Sequence, residues 1–266
     1  MHNVLLAFLL TAMAGLSTGI GSCIAFFTRR TNTKFLSVSL GFSAGVMIYV
    51  SMMELLPGAA EYLTPSFGVK NANLFAFLSF FGGMGVIALI DKVIPEDENP
   101  HSVTSPEHAA QAMSSEHQLM RTGVLTALAI AIHNFPEGLA TFVSALQEPT
   151  IAIPIAAAIA IHNIPEGIAV SVPIYYATGS RRRAFWYSFA SGLSEPLGAL
   201  IGYLLLRPWV NDTVSGILFG AVAGIMVFIS FDELLPSARE YGEHHLSIYG
   251  LIAGMFVMAV SLWLFL

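Results

Sequence analysis

Two short stretches of this chain carry the residue types that bind divalent metal ions. Residues 133–140 read His-Asn-Phe-Pro-Glu-Gly-Leu-Ala, and residues 162–169 read His-Asn-Ile-Pro-Glu-Gly-Ile-Ala. On a helix, His133 and Glu137 stand four residues apart and Asn134 and Glu137 three, so both pairs share one face. The same spacing joins His162, Asn163 and Glu166. Each helix can therefore present one carboxylate between an imidazole and an amide. Glu195 adds a third carboxylate from a later segment. His133, His162, Glu137 and Glu166 form a nitrogen–oxygen set suited to Zn²⁺. Asn134, Asn163, Glu137, Glu166 and Glu195 form an oxygen-only set suited to harder ions such as Fe²⁺ or Mn²⁺. Glu137 and Glu166 would bridge two such ions.

Proline follows this chemistry closely. Pro136 and Pro165 precede a glutamate and Pro196 follows one. A mid-helix proline removes one backbone hydrogen bond, which here would free the carbonyls of Ile132, Ile161 and Gly192. Such a break is tolerated at membrane depth only where the backbone is buried in protein or lines a cavity. Gly138 and Gly167 would let another helix approach.

The elements that hold these residues are expected to be membrane helices. Of 266 residues, 55% are hydrophobic and only 11% charged, against about 25% charged in soluble domains. The apolar residues fall in runs of about 20, enough to cross a bilayer, and they do not alternate as barrel strands would. The runs predict an all-α polytopic membrane protein with eight spans, at 4–27, 35–57, 73–94, 122–146, 151–176, 184–207, 214–236 and 247–266. The loops after spans 1, 3, 5 and 7 hold Arg29, Arg30, Lys34, Lys92, Arg121, Arg181, Arg182, Arg183 and Arg239, whereas the opposite side holds Lys70 and Arg207. The positive-inside rule then places both termini outside the cytoplasm. The N-terminus lacks a basic region, so the first run reads as a retained helix. Residues 95–121 read as a mobile cytoplasmic loop, too polar to bury a core. Its His101, His108 and His117 lack tight ligand spacing and read as solvated.

At midplane depth a charged side chain costs roughly 2.5–3.5 kcal/mol. Glu137, Glu166 and Glu195 are expected at that depth with no Lys or Arg beside them, so a bound metal ion is the natural counter-charge. Packing motifs would explain one lone histidine. They explain poorly seven polar side chains at one depth in a repeated pattern.

The repeats are inverted. The two H-N-x-P-E-G copies lie 29 residues apart in consecutive, hence antiparallel, spans. A second pair, Glu54-Leu55-Leu56-Pro57 and Glu233-Leu234-Leu235-Pro236, ends spans 2 and 7. The simplest arrangement is 3+2+3: spans 1–3 related to spans 6–8, and span 4 to span 5, by one axis in the membrane plane. Inverted repeats with a midplane site recur among transporters.

Other features carry less. Glu54, Asp232 and Glu233 sit near span ends, as ion stations or as groups reaching headgroup water. Ser191 and Ser194 flank Glu195, either back-bonding to their helix or supporting the carboxylate. Gly15, Gly19 and Gly21 read as close helix packing. Met47, Met52 and Met53 read as core filling, and Cys23 as a small packed residue. Trp186, Tyr187 and Trp209 read as interface anchors. One cysteine excludes an internal disulfide, and the absence of a basic, aromatic-interleaved patch argues against nucleic acid.

The paired motifs His133–Gly138 and His162–Gly167, followed by Ser191–Pro196, resemble the ZIP family of zinc and iron permeases. The resemblance spans essentially the whole chain. It implies uptake of Zn²⁺, Fe²⁺, Mn²⁺ or Co²⁺ into the cytoplasm across the cytoplasmic membrane. It also implies a binuclear site at the residues named above, a homodimer, and no cofactor beyond the transported ion. A membrane-embedded di-metal enzyme is the competing reading, since carboxylate–histidine pairs on helices also build di-iron sites. The inverted repeats favour transport, because an enzyme does not require access from two sides.

Overall fold

A computed structural model describes residues 2–25, 33–93, 116–147, 149–206, 209, 211–240 and 244–264. Every regular element among them is helical. The helices are α1 (His2–Ala25), α2 (Thr33–Val50), α3 (Leu56–Val93), α4 (Glu116–Gln147), α5 (Pro149–Thr178), α6 (Arg181–Gly192), α7 (Ser194–Ile201), α8 (Asp212–Ile229), α9 (Leu235–Glu240) and α10 (His244–Leu264). Most of the expected cytoplasmic loop, with His101 and His108, lies outside the described residues. Its last part is already helix, because α4 begins at Glu116, whose charge suits a helix N-terminus. The side chain of His117 is not among those described.

Four helical stretches are long and apolar enough to cross a membrane among the described residues: Val4–Cys23, Ser37–Leu89, Asp212–Asp232 and His245–Leu264. Ser37–Leu89, at 53 residues, is long enough for two crossings of about 20 residues each. No loop separates its halves. The segment expected to link spans 2 and 3 is helix, broken at Gly68 (φ 71°, ψ 158°). Only glycine adopts that conformation without strain, so one residue reverses the chain where a loop was expected. Helices α4 and α5, 32 and 30 residues long, carry the polar motifs.

Large apolar side chains stand exposed on the helices, and polar side chains are buried beside an apolar core. Leu5, Leu9, Met13, Leu16 and Ile20 form one exposed stripe along α1, and Phe256, Trp263 and Leu264 are exposed on α10. Thr11, Thr18, Ser22, Ser43, Ser171, Ser188 and Ser215 are buried. Met47 fills the core, as expected. Met52, Met53 and Cys23 are instead exposed, because each faces outward on its helix, where an apolar side chain suits lipid better than core. Trp186, Tyr187 and Trp209 are exposed, as an interface position requires.

Three helices widen into single π-turns, at Ser51–Leu55, Gly202–Leu206 and Ser230–Leu234. In the first and third, the backbone N–H of Leu56 or Leu235 donates to the carbonyl of Ser51 or Ser230. Each π-turn ends two residues before a proline in sequence: Pro57, Pro208 and Pro236. A proline ring clashes with the carbonyl four residues back, and widening the preceding turn relieves the clash. Pro136 and Pro165 leave their helices continuous, whereas the helix around Pro196 is interrupted at Leu193, between α6 and α7.

Packing follows a pairing of elements. Helix α1 lies on α5, α4 on α7 and α6, α2 on α10, and α3 on α8. Glycines set the closest approaches. A methyl at Gly21 would overlap the Ile164 carbonyl, and one at Gly167 the Thr18 carbonyl. The α7–α4 contact repeats this pattern. A methyl at Gly198 would overlap the Phe135 carbonyl, and one at Gly138 the Glu195 carbonyl. Likewise Gly45 meets Leu251 and Gly254 meets Phe42, while Gly224 meets Phe80 and Gly83 meets Ala221. The close approach expected at Gly15, Gly21, Gly138 and Gly167 is therefore present, backbone against backbone.

Candidate metal centre

The expected site residues sit where α4, α5 and α7 meet. Asn134 and Glu137 on α4, Asn163 and Glu166 on α5, and Glu195 on α7 are each at most 1% exposed. His133 and His162 lie on α4 and α5, but their side chains are outside the described ones. Burial of this kind follows from spacing: the motif residues share one helix face, and Gly138 and Gly167 let α7 and α1 close over the adjacent turns.

Asn163 is the best-anchored member. Its Nδ2 donates to the Ala14 carbonyl at 3.1 Å and to Glu195 Oε1. Its Oδ1 has no partner, and neither does Glu195 Oε2. Glu195 lies within electrostatic reach of both Glu137 and Glu166. Ser43 on α2 donates to Glu166 Oε1 at 3.5 Å. Asn134 differs from its counterpart Asn163, since neither its Oδ1 nor its Nδ2 has a hydrogen-bond partner. A buried amide left so costs about 1–3 kcal/mol, which fits a side chain reserved for a ligand. Glu137 also borders a small cavity, about 10 Å³, between Val50, Leu55, Ile159 and Met226. That is about the space of one water molecule.

Among the described residues, no group of three His, Cys, Asp or Glu side chains draws together tightly enough to hold a metal ion. Asn163 instead turns its amide to Glu195. What the arrangement offers is a buried group of carboxyl and amide side chains with unpartnered oxygen atoms, set on the helices that carry both copies of the motif.

Ser191 and Ser194 do not support Glu195. Ser191 Oγ donates to the Ser188 carbonyl at 2.7 Å, and Ser194 Oγ to the Ser191 carbonyl at 2.6 Å. Ser191 back-bonds within α6, and Ser194 bonds back to the last turn of α6 across the break at Leu193. Glu54 is half-buried in the first π-turn and Asp232 in the third, while the side chain of Glu233 is outside those described.

The structure adds residues that motif reading passed over. The carbonyl of Ala14 and the hydroxyl of Ser43 reach the site from α1 and α2. A third internal repeat was also legible: Gly15-Leu16-Ser17-Thr18-Gly19-Ile20-Gly21 against Gly192-Leu193-Ser194-Glu195-Pro196-Leu197-Gly198. It aligns Thr18 with Glu195.

Residues 91–262 match the family model described as ZIP Zinc transporter. The chain belongs to the ZIP zinc transporter family. It is 65% identical to a zinc transporter ZupT of Clostridium perfringens, an alignment covering 100% of this chain and 98% of that one. It is 64% identical to a zinc transporter ZupT of Streptococcus mutans, covering 100% and 99%, and 61% identical to one of Lysinibacillus sphaericus, covering 98% and 97%. Membership in the ZIP family, with the apolar helices described above, makes this a multi-pass membrane protein. The resemblance drawn from the paired ZIP motifs therefore holds over the full chain.

Proposed function

We propose that this chain takes up Zn²⁺, and also Fe²⁺, Mn²⁺ and Co²⁺, across the cytoplasmic membrane through a binuclear site near the bilayer midplane. His133, His162, Glu137 and Glu166 hold one ion. Asn134, Asn163, Glu137, Glu166 and Glu195 hold the other, and the two glutamates bridge. The observation that carries the reading is the burial of five of these side chains together, with Asn134 left wholly without hydrogen bonds. An isolated buried carboxylate is costly, and a divalent cation offsets that cost directly. The names of the relatives support zinc as cargo.

Eight spans in a 3+2+3 inverted repeat carry the site, with both termini outside. The mirrored glycine contacts of α1–α5 against α7–α4, and of α2–α10 against α8–α3, support this arrangement. So do the paired π-turns ahead of Pro57 and Pro236. The ZIP resemblance implies a homodimer.

Proteoliposomes loaded with a zinc-sensitive dye test the reading. The parent protein should admit Zn²⁺. Glu137→Ala and Glu166→Ala should each lower uptake by about 10- to 100-fold, the scale on which lost metal-shell contacts act. Parental uptake by both variants would sink the site assignment.

A further inference from the structure

We propose that Thr18 on α1 is a specificity-determining residue of the ion site, the hydroxyl counterpart of Glu195. This rests on the reading of the site as a cation path. The third repeat aligns Thr18 with Glu195, and the packing repeats the alignment atom by atom. A Cβ built at Gly15 would stand 3.3 Å from Glu195 Cβ, and one built at Gly192 would stand 3.0 Å from Thr18 Cβ. The Thr18 carbonyl caps Gly167 as the Glu195 carbonyl caps Gly138. Thr18 Cβ therefore occupies on α1 the place that Glu195 Cβ occupies on α7.

The outcome for the facing amide differs. Glu195 reaches Asn163 and accepts its hydrogen bond. Thr18 is two bonds shorter than a glutamate and makes no hydrogen bond to Asn134, the mirror counterpart of Asn163. Thr18 is fully buried and its Oγ1 has no partner, and both amide atoms of Asn134 have none. By the alignment, Thr18 and Asn134 are the mirror counterparts of Glu195 and Asn163, and both are neutral side chains with unpartnered oxygens. Water or a partly hydrated cation between Thr18 and Asn134 would satisfy both. The pair gives the site one carboxylate fewer than full symmetry would supply, and so sets the charge that a passing divalent ion meets.

The test uses full-length protein in proteoliposomes, with Zn²⁺ and Mn²⁺ as separate substrates. Valine is isosteric with threonine and lacks the hydroxyl. Thr18→Val should raise the KM for uptake about three- to tenfold, the value of one lost hydrogen bond or weak oxygen ligand, and more for Mn²⁺, which favours oxygen. Thr18→Ser should restore most of the parental KM. Thr18→Glu should change the Zn²⁺:Mn²⁺ uptake ratio by a larger factor than Thr18→Val. Parental KM values and an unchanged ion ratio in Thr18→Val and Thr18→Glu would overturn the proposal, as would equal loss in the serine and valine variants. If the parent protein moves neither ion, the transport reading itself fails. Parental uptake that Glu166→Ala abolishes and Thr18→Val leaves alone removes only the role of Thr18.

Discussion

Asn134 and Asn163 occupy equivalent places in the two motifs, yet they do different work in the metal-free protein. Asn163 ties α5 to α1 through the Ala14 carbonyl and to α7 through Glu195. Asn134 ties nothing. Asn163→Ala should therefore lower the stability of the metal-free protein by about 1–3 kcal/mol, since it leaves buried acceptors unsatisfied. Asn134→Ala removes an unsatisfied amide, so it should not lower the metal-free melting temperature. Thermal unfolding in detergent with a chelator would show the difference, and equal destabilisation would contradict the asymmetry. Ser191→Ala removes only a back-bond within α6, so zinc uptake should match the parent. A deep loss of uptake there would return Ser191 to the site. The string H-N-x-P-E-G was enough to pick out the buried polar residues, because i, i+3 and i+4 spacing fixes a shared face. It could not reveal which amide is satisfied, since that depends on other helices, 32 and 149 residues away in sequence.

Glycines bring several helices of this protein into direct backbone contact. Gly167 lies against the Thr18 carbonyl, and Gly138 against the Glu195 carbonyl, with no room for a methyl group at either. Overpacking such a contact typically costs 1–3 kcal/mol or more. Gly167→Val should lower the melting temperature and uptake together, whereas Gly82→Ala, in open space on α3, should change neither. Matching behaviour of the two variants in a thermal melt would undo the argument. The π-turns belong to this scale too. Ser51–Leu55 and Ser230–Leu234 match in position and in the proline that follows. Sequence showed the repeated Glu-Leu-Leu-Pro, but not that the chain widens there, because either a kink or a π-turn relieves the ring clash.

At the scale of the whole molecule, many large apolar side chains face out, while the site's amides and carboxylates and many hydroxyls are buried beside an apolar core. That distribution is stable only where the surroundings are apolar, and it places the α1 stripe and the aromatic face of α10 against lipid or another apolar surface. Orientation can be checked with the lone cysteine removed. In a Cys23→Ser background, Lys70→Cys should react with a membrane-impermeant maleimide from outside intact cells, and Arg182→Cys only after permeabilisation. Both parent side chains are exposed. Reaction of the Arg182→Cys variant from outside would reverse the assigned topology.

The sequence by itself determined the helices, the site-bearing faces and the pairing of motifs. Each depends on local periodicity or on the length of an apolar run, and both are written along the chain. It also held the third repeat around Thr18 and Glu195, hidden because only its glycines, leucine and serine match. Only the tertiary structure decided the rest. The link expected between spans 2 and 3 became a single glycine bend within α3, Met52, Met53 and Cys23 turned outward, and Ser191 and Ser194 bonded back into α6. Above all, Asn163 was bonded and Asn134 left open. These outcomes rest on which helices come within hydrogen-bonding distance, and in lipid that is set by glycine contacts between remote segments, which spacing along one helix cannot specify.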